Sequence, residues 1–170
     1  MGGATNTIDL SRLGLSSGEG TSRNASVDID PVELGGQRYT ARGAVTDARL
    51  DISRTTTGYA LRLRYGLRLE GPCMRCLEGA ADQISIDARE VDQPGGGDDL
   101  RSPYLEGDEL DLKSWARDAL VLALPVRVLC TPDCRGLCGI CGANLNEEPG
   151  HAHEREPDPR WAKLSELRLD

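Results

Sequence analysis

Six cysteines and two histidines sit at spacings that a metal-stapled fold accommodates and few others do. They run Cys73-x2-Cys76, then Cys130-x3-Cys134-x3-Cys138-x2-Cys141, then His151-x-His153, and the 170-residue chain has no other cysteine or histidine. Eight soft ligands are what two tetrahedral zinc sites require. Cys73/Cys76 and Cys138/Cys141 each stand three apart, so each pair can curl around a tight turn and aim both sulfurs at one ion. Nothing in MGGATNTIDLSRLGL reads as a signal peptide, since no basic stretch precedes an apolar run. A cytoplasmic, reducing setting is therefore expected, and it favours metal ligation over disulfides. In such a setting the Asn24-Ala25-Ser26 sequon is a chance match.

Each site has a blander counterpart. Cys138 and Cys141 could be two buried free thiols. Cys73 and Cys76 could be a redox pair, but such pairs sit at helix N-termini, where the dipole lowers the thiol pKa. Here the surrounding pattern is strand–turn–strand, which favours metal. Ligand pairing stays open between three partitions. One joins Cys73, Cys76, Cys130 and Cys134, leaving Cys138, Cys141, His151 and His153 for a second ion. Another gathers Cys130, Cys134, Cys138 and Cys141, and a third joins the two CxxC pairs. The first is preferred because it uses every candidate once and ties the sheet to the C-terminal segment. One or two zinc ions are expected. A catalytic zinc needs an open coordination position. Pro72-Cys73-x2-Cys76 echoes nucleobase deaminases, but those also need an upstream His-x-Glu, and no histidine precedes His151.

The metal matters more because the core is lean. The chain has no Phe and only 4% aromatic residues. A structural zinc can contribute on the order of 10–16 kcal/mol of apparent folding free energy. The net charge is −8, spread as −3 over residues 1–33, +2 over 34–90 and −7 over 91–170. Direct binding of naked nucleic acid through overall charge is disfavoured, because phosphate affinity rests on clustered Lys and Arg. No apolar run approaches a membrane span.

Periodicity sets the rest of the plan. Tyr59, Leu61, Leu63, Tyr65, Leu67 and Leu69 alternate with polar or small residues, which predicts a half-buried strand. Tyr39–Val45 alternate at odd positions and Ala48–Ile52 at even ones, which predicts a bulge near Thr46–Asp47. Thr55–Gly58 reads as a hairpin turn and Ile84–Ala88 as a third strand, with Cys73 and Cys76 on the turn before it. Asp92–Gly107 reads as a loop. Asp111 is a candidate N-cap for a helix whose apolar stripe is Leu112, Trp115, Ala116, Ala119, Leu120 and Ala123, ended by Pro125. Val126, Val128 and Leu129 read as a short strand, and Asp158-Pro159-Arg160-Trp161 as the start of a terminal helix. The fold class expected is α+β: an antiparallel β-sheet with one packed amphipathic helix, a Cys-rich zinc-knuckle segment and a short C-terminal helix. The expected domains are a flexible leader over 1–26 with a short element at Ile8–Leu15, a core over 27–129, and a metal-binding segment over 130–170 integrated with it.

Arg62, Arg64 and Arg68 form a basic stripe on one strand face. It could meet RNA phosphates or an acidic partner. The favoured meaning is a solvated outer sheet face, and with eighteen Arg to two Lys the arginines partly reflect genome composition.

The order of these pieces resembles the YceD family of large ribosomal RNA subunit accumulation proteins. The resemblance is carried by Cys73-Met74-Arg75-Cys76-Leu77, by Leu120-Val121-Leu122-Ala123-Leu124-Pro125, by Cys130-x3-Cys134-Arg135-Gly136-Leu137-Cys138-x2-Cys141-Gly142-x-Asn144-Leu145-Asn146, and by Asp158-Pro159-Arg160-Trp161. It runs from about residue 27 to the end. His151-x-His153 stands roughly where this family often has Cys-x-Cys. The resemblance implies a non-enzymatic cytosolic factor supporting accumulation of large-subunit ribosomal RNA. The strong acidity suggests a basic ribosomal protein, or a pre-ribosomal particle already coated by protein, as the partner. The competing expectation is a zinc-dependent thiol redox sensor or enzyme using Cys73 and Cys76.

Overall fold

The computed structural model describes residues 6–43, 45–97 and 100–153. The alternation from Tyr59 onward becomes a 14-residue strand, β6 (Tyr59–Pro72), around which the other strands are arranged. Its odd residues from Tyr59 to Leu69 are all buried. β6 pairs along its whole length with β7 (Gly79–Asp92), from Tyr59↔Asp92 to Pro72↔Gly79. Its first half also pairs with β5 (Val45–Arg54) and its end with β4 (Gln37–Ala41), all antiparallel. β2 (Gly20–Asp28) extends the sheet beyond β5, and β3 (Val32–Leu34) extends it beyond β4. The β5–β6 turn is closed by Thr55 N donating to Gly58 O at 2.9 Å and Gly58 N donating to Thr55 Oγ1 at 2.9 Å.

The helix predicted from Asp111 is α1 (Leu112–Ala123). Asp111 caps it by accepting from Ser114 N at 2.9 Å and Ser114 Oγ at 2.6 Å. Leu112, Trp115, Ala116, Ala119 and Leu120 are buried against the sheet. The buried Tyr65 hydroxyl donates to Ala116 O at 2.5 Å. With no Phe, the aromatic mass of the core comes from Tyr39, Tyr59, Tyr65 and Trp115. The described chain is mostly antiparallel sheet with one α-helix.

Four sequence expectations are corrected. The residues read as a flexible leader carry β1 (Thr7–Asp9), a 3-10 turn (Leu10–Leu13) and most of β2. Leu10 is buried, and Ile8, Leu13 and Leu15 pack against the core, so four apolar side chains anchor a polar-looking segment. Ser22 and Ser26 hydrogen-bond Asp51 and Asp47 across the strand pair, which is why a Ser/Thr-rich stretch is stable here as strand. The phase switch near Thr46–Asp47 is wider than a one-residue bulge. Pairing with β6 stops at Ala41↔Leu69 and resumes at Ala48↔Tyr65, so the ladder on that side of β6 is interrupted over residues 66–68. The expected loop before α1 contains β8 (Leu105–Glu106), which pairs with β9 (Glu109–Asp111), and β9 also pairs with β1. Residues 126–129 form no strand, although Val128 is buried and its carbonyl accepts from Met74 N at 3.0 Å. The terminal helix expected from Asp158 lies outside the described residues.

Candidate metal centres

The turn between β6 and β7 is built from Cys73 to Glu78. Cys73 N donates to Glu78 O at 2.7 Å and Leu77 N to Cys73 O at 2.9 Å. The second CxxC closes the same way, with Gly142 N donating to Cys138 O at 2.8 Å. Both turns need a left-handed residue just after the second cysteine. Gly142 supplies it at φ 77°, without a Cβ to object. Leu77 adopts φ 64° at that place, a conformation costing an L-residue roughly 1–2 kcal/mol. The turn is thus held by its surroundings rather than by its own preference. At the strand end beside it, Tyr39 donates its hydroxyl to Pro72 O at 2.8 Å, over Gly71, where no Cβ would fit.

The eight predicted ligands come together in two groups, Cys73/Cys76/Cys130/Cys134 and Cys138/Cys141/His151/His153. In each, the ligand atoms all lie within 4.8 Å of one another. In the first group Cys73 and Cys134 sulfurs are 3.7 Å apart and Cys76 and Cys130 sulfurs 3.5 Å. Those distances are far too long for a disulfide. They approach the edge of about 3.8 Å that four sulfurs make around a zinc at about 2.3 Å. Cys73, Cys76 and Cys134 are buried and Cys130 is half-buried, so this inner group is shielded. The second, outer group is open. Cys141 and His153 are exposed, and Cys138 and His151 half-buried. Cys141 Sγ lies 3.1 Å from His151 Nε2 and 3.3 Å from His153 Nε2, and the two Nε2 atoms are 2.9 Å apart. Both imidazoles present the same nitrogen inward. Soft thiolates and imidazoles converging in one place suit zinc, and neither group contains the oxygen donors that magnesium or calcium prefers.

The surrounding dipoles favour thiolate at particular sulfurs. Burial pushes the Cys73 thiol up, but N–H groups of Cys76, Arg75 and Cys130 outweigh it and bring it down to about 6. Burial pushes Cys76 up to about 12, with its three sulfur neighbours adding to the rise. Cys134 is held below its ordinary value: burial opposes this, and donation from Asn146 is foremost among the causes that prevail. At Cys138 the N–H groups of Cys141 and Ile140 lead, against burial, and bring the thiol to about 6. Backbone N–H groups aimed at sulfur disperse the charge that four thiolates would bring to a zinc.

Three contributors were not singled out by sequence reasoning. Asn146 Nδ2 donates to Cys134 Sγ at 3.4 Å. Glu148 Oε2 lies 3.0 Å from His151 Nδ1, the carboxylate–histidine arrangement that orients a metal-binding imidazole. Its signal was present as Glu three residues before His. Gly136, at φ 81°, lets the chain pass close to Arg75: a Cβ at this position would stand 3.0 Å from Arg75 O. That approach lets Leu137 N donate to Arg75 O at 3.0 Å, joining the two CxxC turns.

The arginine stripe lies on the outward face of β6, and each member has a carboxylate partner. Arg62 meets Asp87 at 2.5 Å, Arg64 meets Asp51 at 2.5 Å, and Arg68 meets Glu70 at 3.2 Å. The first two pairs follow from the sheet register, which sets Arg62 opposite Asp51 and Arg64 opposite Asp87, with bridges running on the diagonals, while Arg68 and Glu70 are neighbours on one face of β6. The face is thereby largely neutralised.

The profile of the family described as large ribosomal RNA subunit accumulation protein YceD matches residues 61–168, which include every candidate ligand. The Mycobacterium tuberculosis protein Rv2926c is 32% identical over 95% of this chain and 80% of its own length. The chloroplastic large ribosomal RNA subunit accumulation protein YCED homolog 1 of Zea mays is 29% identical over 81% of this chain and 59% of its own length. Its Arabidopsis thaliana counterpart is 33% identical over 37% of this chain and 20% of its own length. No solved structure matches, and no helix among the described residues is long and apolar enough to cross a membrane. The family match spans more than half of the chain and includes both candidate metal centres, and on that basis the chain belongs to the YceD family.

Proposed function

We propose that this protein is a non-enzymatic cytoplasmic factor in large-subunit ribosomal RNA accumulation and ribosome assembly, stapled by two zinc ions. One observation carries the structural half: four sulfurs from segments more than fifty residues apart converge in a shielded pocket at tetrahedral spacing. Cys73, Cys76, Cys130 and Cys134 would hold one ion, and Cys138, Cys141, His151 and His153 the other. Bound there, zinc cross-links an α+β scaffold and joins the segment from residue 130 onward to the core. With four protein ligands each, the sites are closed, which suits structure rather than catalysis. Burial of Cys73 and Cys76 counts against the redox alternative, which needs an accessible thiolate.

The functional half rests on family membership and charge. A chain of net charge −8, with the arginines of its sheet face already paired, suits a basic ribosomal protein or a protein-coated pre-ribosomal particle better than naked RNA. Metal content of protein purified without chelator, and capture from lysate with and without ribonuclease, test the two halves separately. Two zincs per chain and ribonuclease-resistant capture of a ribosomal protein are expected. Metal-free folded protein overturns the first half, and capture of free RNA alone overturns the second.

A further inference from the structure

The two metal groups are not mechanically independent. The chain from Cys134 doubles back on itself. Cys138 N donates to Ala143 O at 2.8 Å, Leu137 and Asn144 form a β-bridge, and Leu145 N donates to Gly136 O at 2.9 Å. This small hairpin carries Cys138 and Cys141 at its tip and ends at Asn146, beside the inner group. Beyond it, Glu148 N donates to Asn144 O at 3.1 Å and His151 N to Glu148 O at 3.0 Å, so the outer histidines grow from the same turn.

Asn146 engages both ends of its carboxamide. Its Oδ1 accepts from Arg135 N at 2.7 Å. Its Nδ2 donates to Asn144 Oδ1 at 2.8 Å and to Cys134 Sγ at 3.4 Å. One carboxamide thus spans the outer module and an inner ligand. A donor aimed at a metal-bound thiolate disperses sulfur charge. Losing such an outer contact typically weakens metal binding about 10–100-fold.

We propose that Asn146 is a positioning residue through which the outer site sets the metal affinity of the inner one. Filling the outer site orders residues 138–151 and holds the Asn146 amide on Cys134. Emptying it releases that amide, and the inner ion leaves faster. Linkage makes the effect reciprocal: an emptied inner site also weakens the outer one. This coupling rests on the two-zinc reading.

Cobalt(II) provides the test, because a four-sulfur site and a two-sulfur, two-nitrogen site differ in their absorption bands. Wild-type protein is first loaded and titrated. Binding of fewer than two ions refutes the two-zinc reading itself, independently of any coupling between the sites. Inner-site release to a chelator is then compared in wild type, Asn146→Ala, Asn146→Asp, Cys141→Ser and the Asn146→Ala/Cys141→Ser double variant. Asn146→Asp keeps the acceptor for Arg135 N but sets a carboxylate against the sulfur. A merely structural Asn146 predicts that Asp is milder than Ala. Positioning predicts that Asp is worse, with a shifted sulfur-to-cobalt charge-transfer band in both. The expected result is about 10-fold or greater acceleration of inner release in each single variant, and no further acceleration in the double. Multiplicative effects in the double variant, a milder Asp, or inner release unchanged in Cys141→Ser each overturn the proposal.

Discussion

The two candidate centres close loops of very different length, and stability should register the difference. The inner group ties Cys76 to Cys130 across a separation of 54 residues, while the outer group ties Cys141 to His151 across 10. A cross-link stabilises by removing conformations from the unfolded chain, and the loss grows with the logarithm of loop length. By the relation used for disulfides, the inner loop is worth about 4.2 kcal/mol and the outer about 2.7 kcal/mol at room temperature. The difference of about 1.5 kcal/mol is roughly tenfold in the folding equilibrium. Cys76→Ser and Cys141→Ser each remove one sulfur with little change of shape. In urea denaturation of zinc-loaded protein, with metal content measured on the same samples, each variant should hold one zinc. Cys76→Ser should lose more stability by about that difference. Equal losses, or a larger loss for Cys141→Ser, would refute the loop-length reasoning. Two zincs retained in Cys76→Ser would remove Cys76 from the ligand set.

The sheet and helix supply further tests. Tyr65→Phe removes the donor to Ala116 O and should cost about 1 kcal/mol in thermal unfolding. Burial raises the Tyr65 hydroxyl, so its contribution is complete below about pH 10 and fades as pH climbs beyond; the alkaline loss of stability should be shallower in Tyr65→Phe than in wild type. Asp111→Ala removes the helix cap and should lower stability by about 1 kcal/mol at neutral pH. Hydrogen bonds from Ser114 hold Asp111 below the usual carboxylate range, so its contribution is present above about pH 4 and disappears on acidification; the variant and wild type should converge in circular-dichroism melts at low pH. Reversing Arg62, Arg64 and Arg68 to Glu should leave RNA association in pull-down unchanged, because those guanidiniums are already engaged by Asp87, Asp51 and Glu70; a clear loss would show that the face contacts RNA.

Much of the fold could be read from period alone. Six alternating apolar residues defined β6, and a six-residue apolar stripe behind Asp111, five of it buried, defined α1, because both elements bury one face. Partners set by the rest of the molecule could not be read this way. β2 looks like a polar leader, since its outer serines face water and Asp51, while only Ala25 and Val27 of its inner face are buried. The three-stranded β1–β9–β8 sheet has strands of two or three residues, too short for any period to register. At the metal groups, residue type and spacing exposed all eight candidate ligands but left three partitions open. Neighbours in sequence are not the neighbours that matter there: Cys134 and Cys138 are four apart yet fall in different groups. The close pass of Gly136 against Arg75 lies between them, with Cys134 buried on one side and Cys138 half-buried on the other.

That pass also explains why one chain would carry a shielded site and an open one. The inner group lies at the end of β6, where the apolar alternation stops at Leu69 and Tyr39 packs over Gly71. Three buried cysteines, with Ala80 and Leu129 packed against them, extend the core where Gly71 and Pro72 cannot. A shielded four-cysteine cluster suits that place, because thiols pack as small hydrophobes and a metal held by them would close a long loop. The outer group has no core to extend: Ile140 at the tip of its turn is exposed, and its candidate ligands all fall between Cys138 and His153. Its contribution to the fold must therefore be local, ordering the hairpin that carries Asn146 to the inner sulfurs.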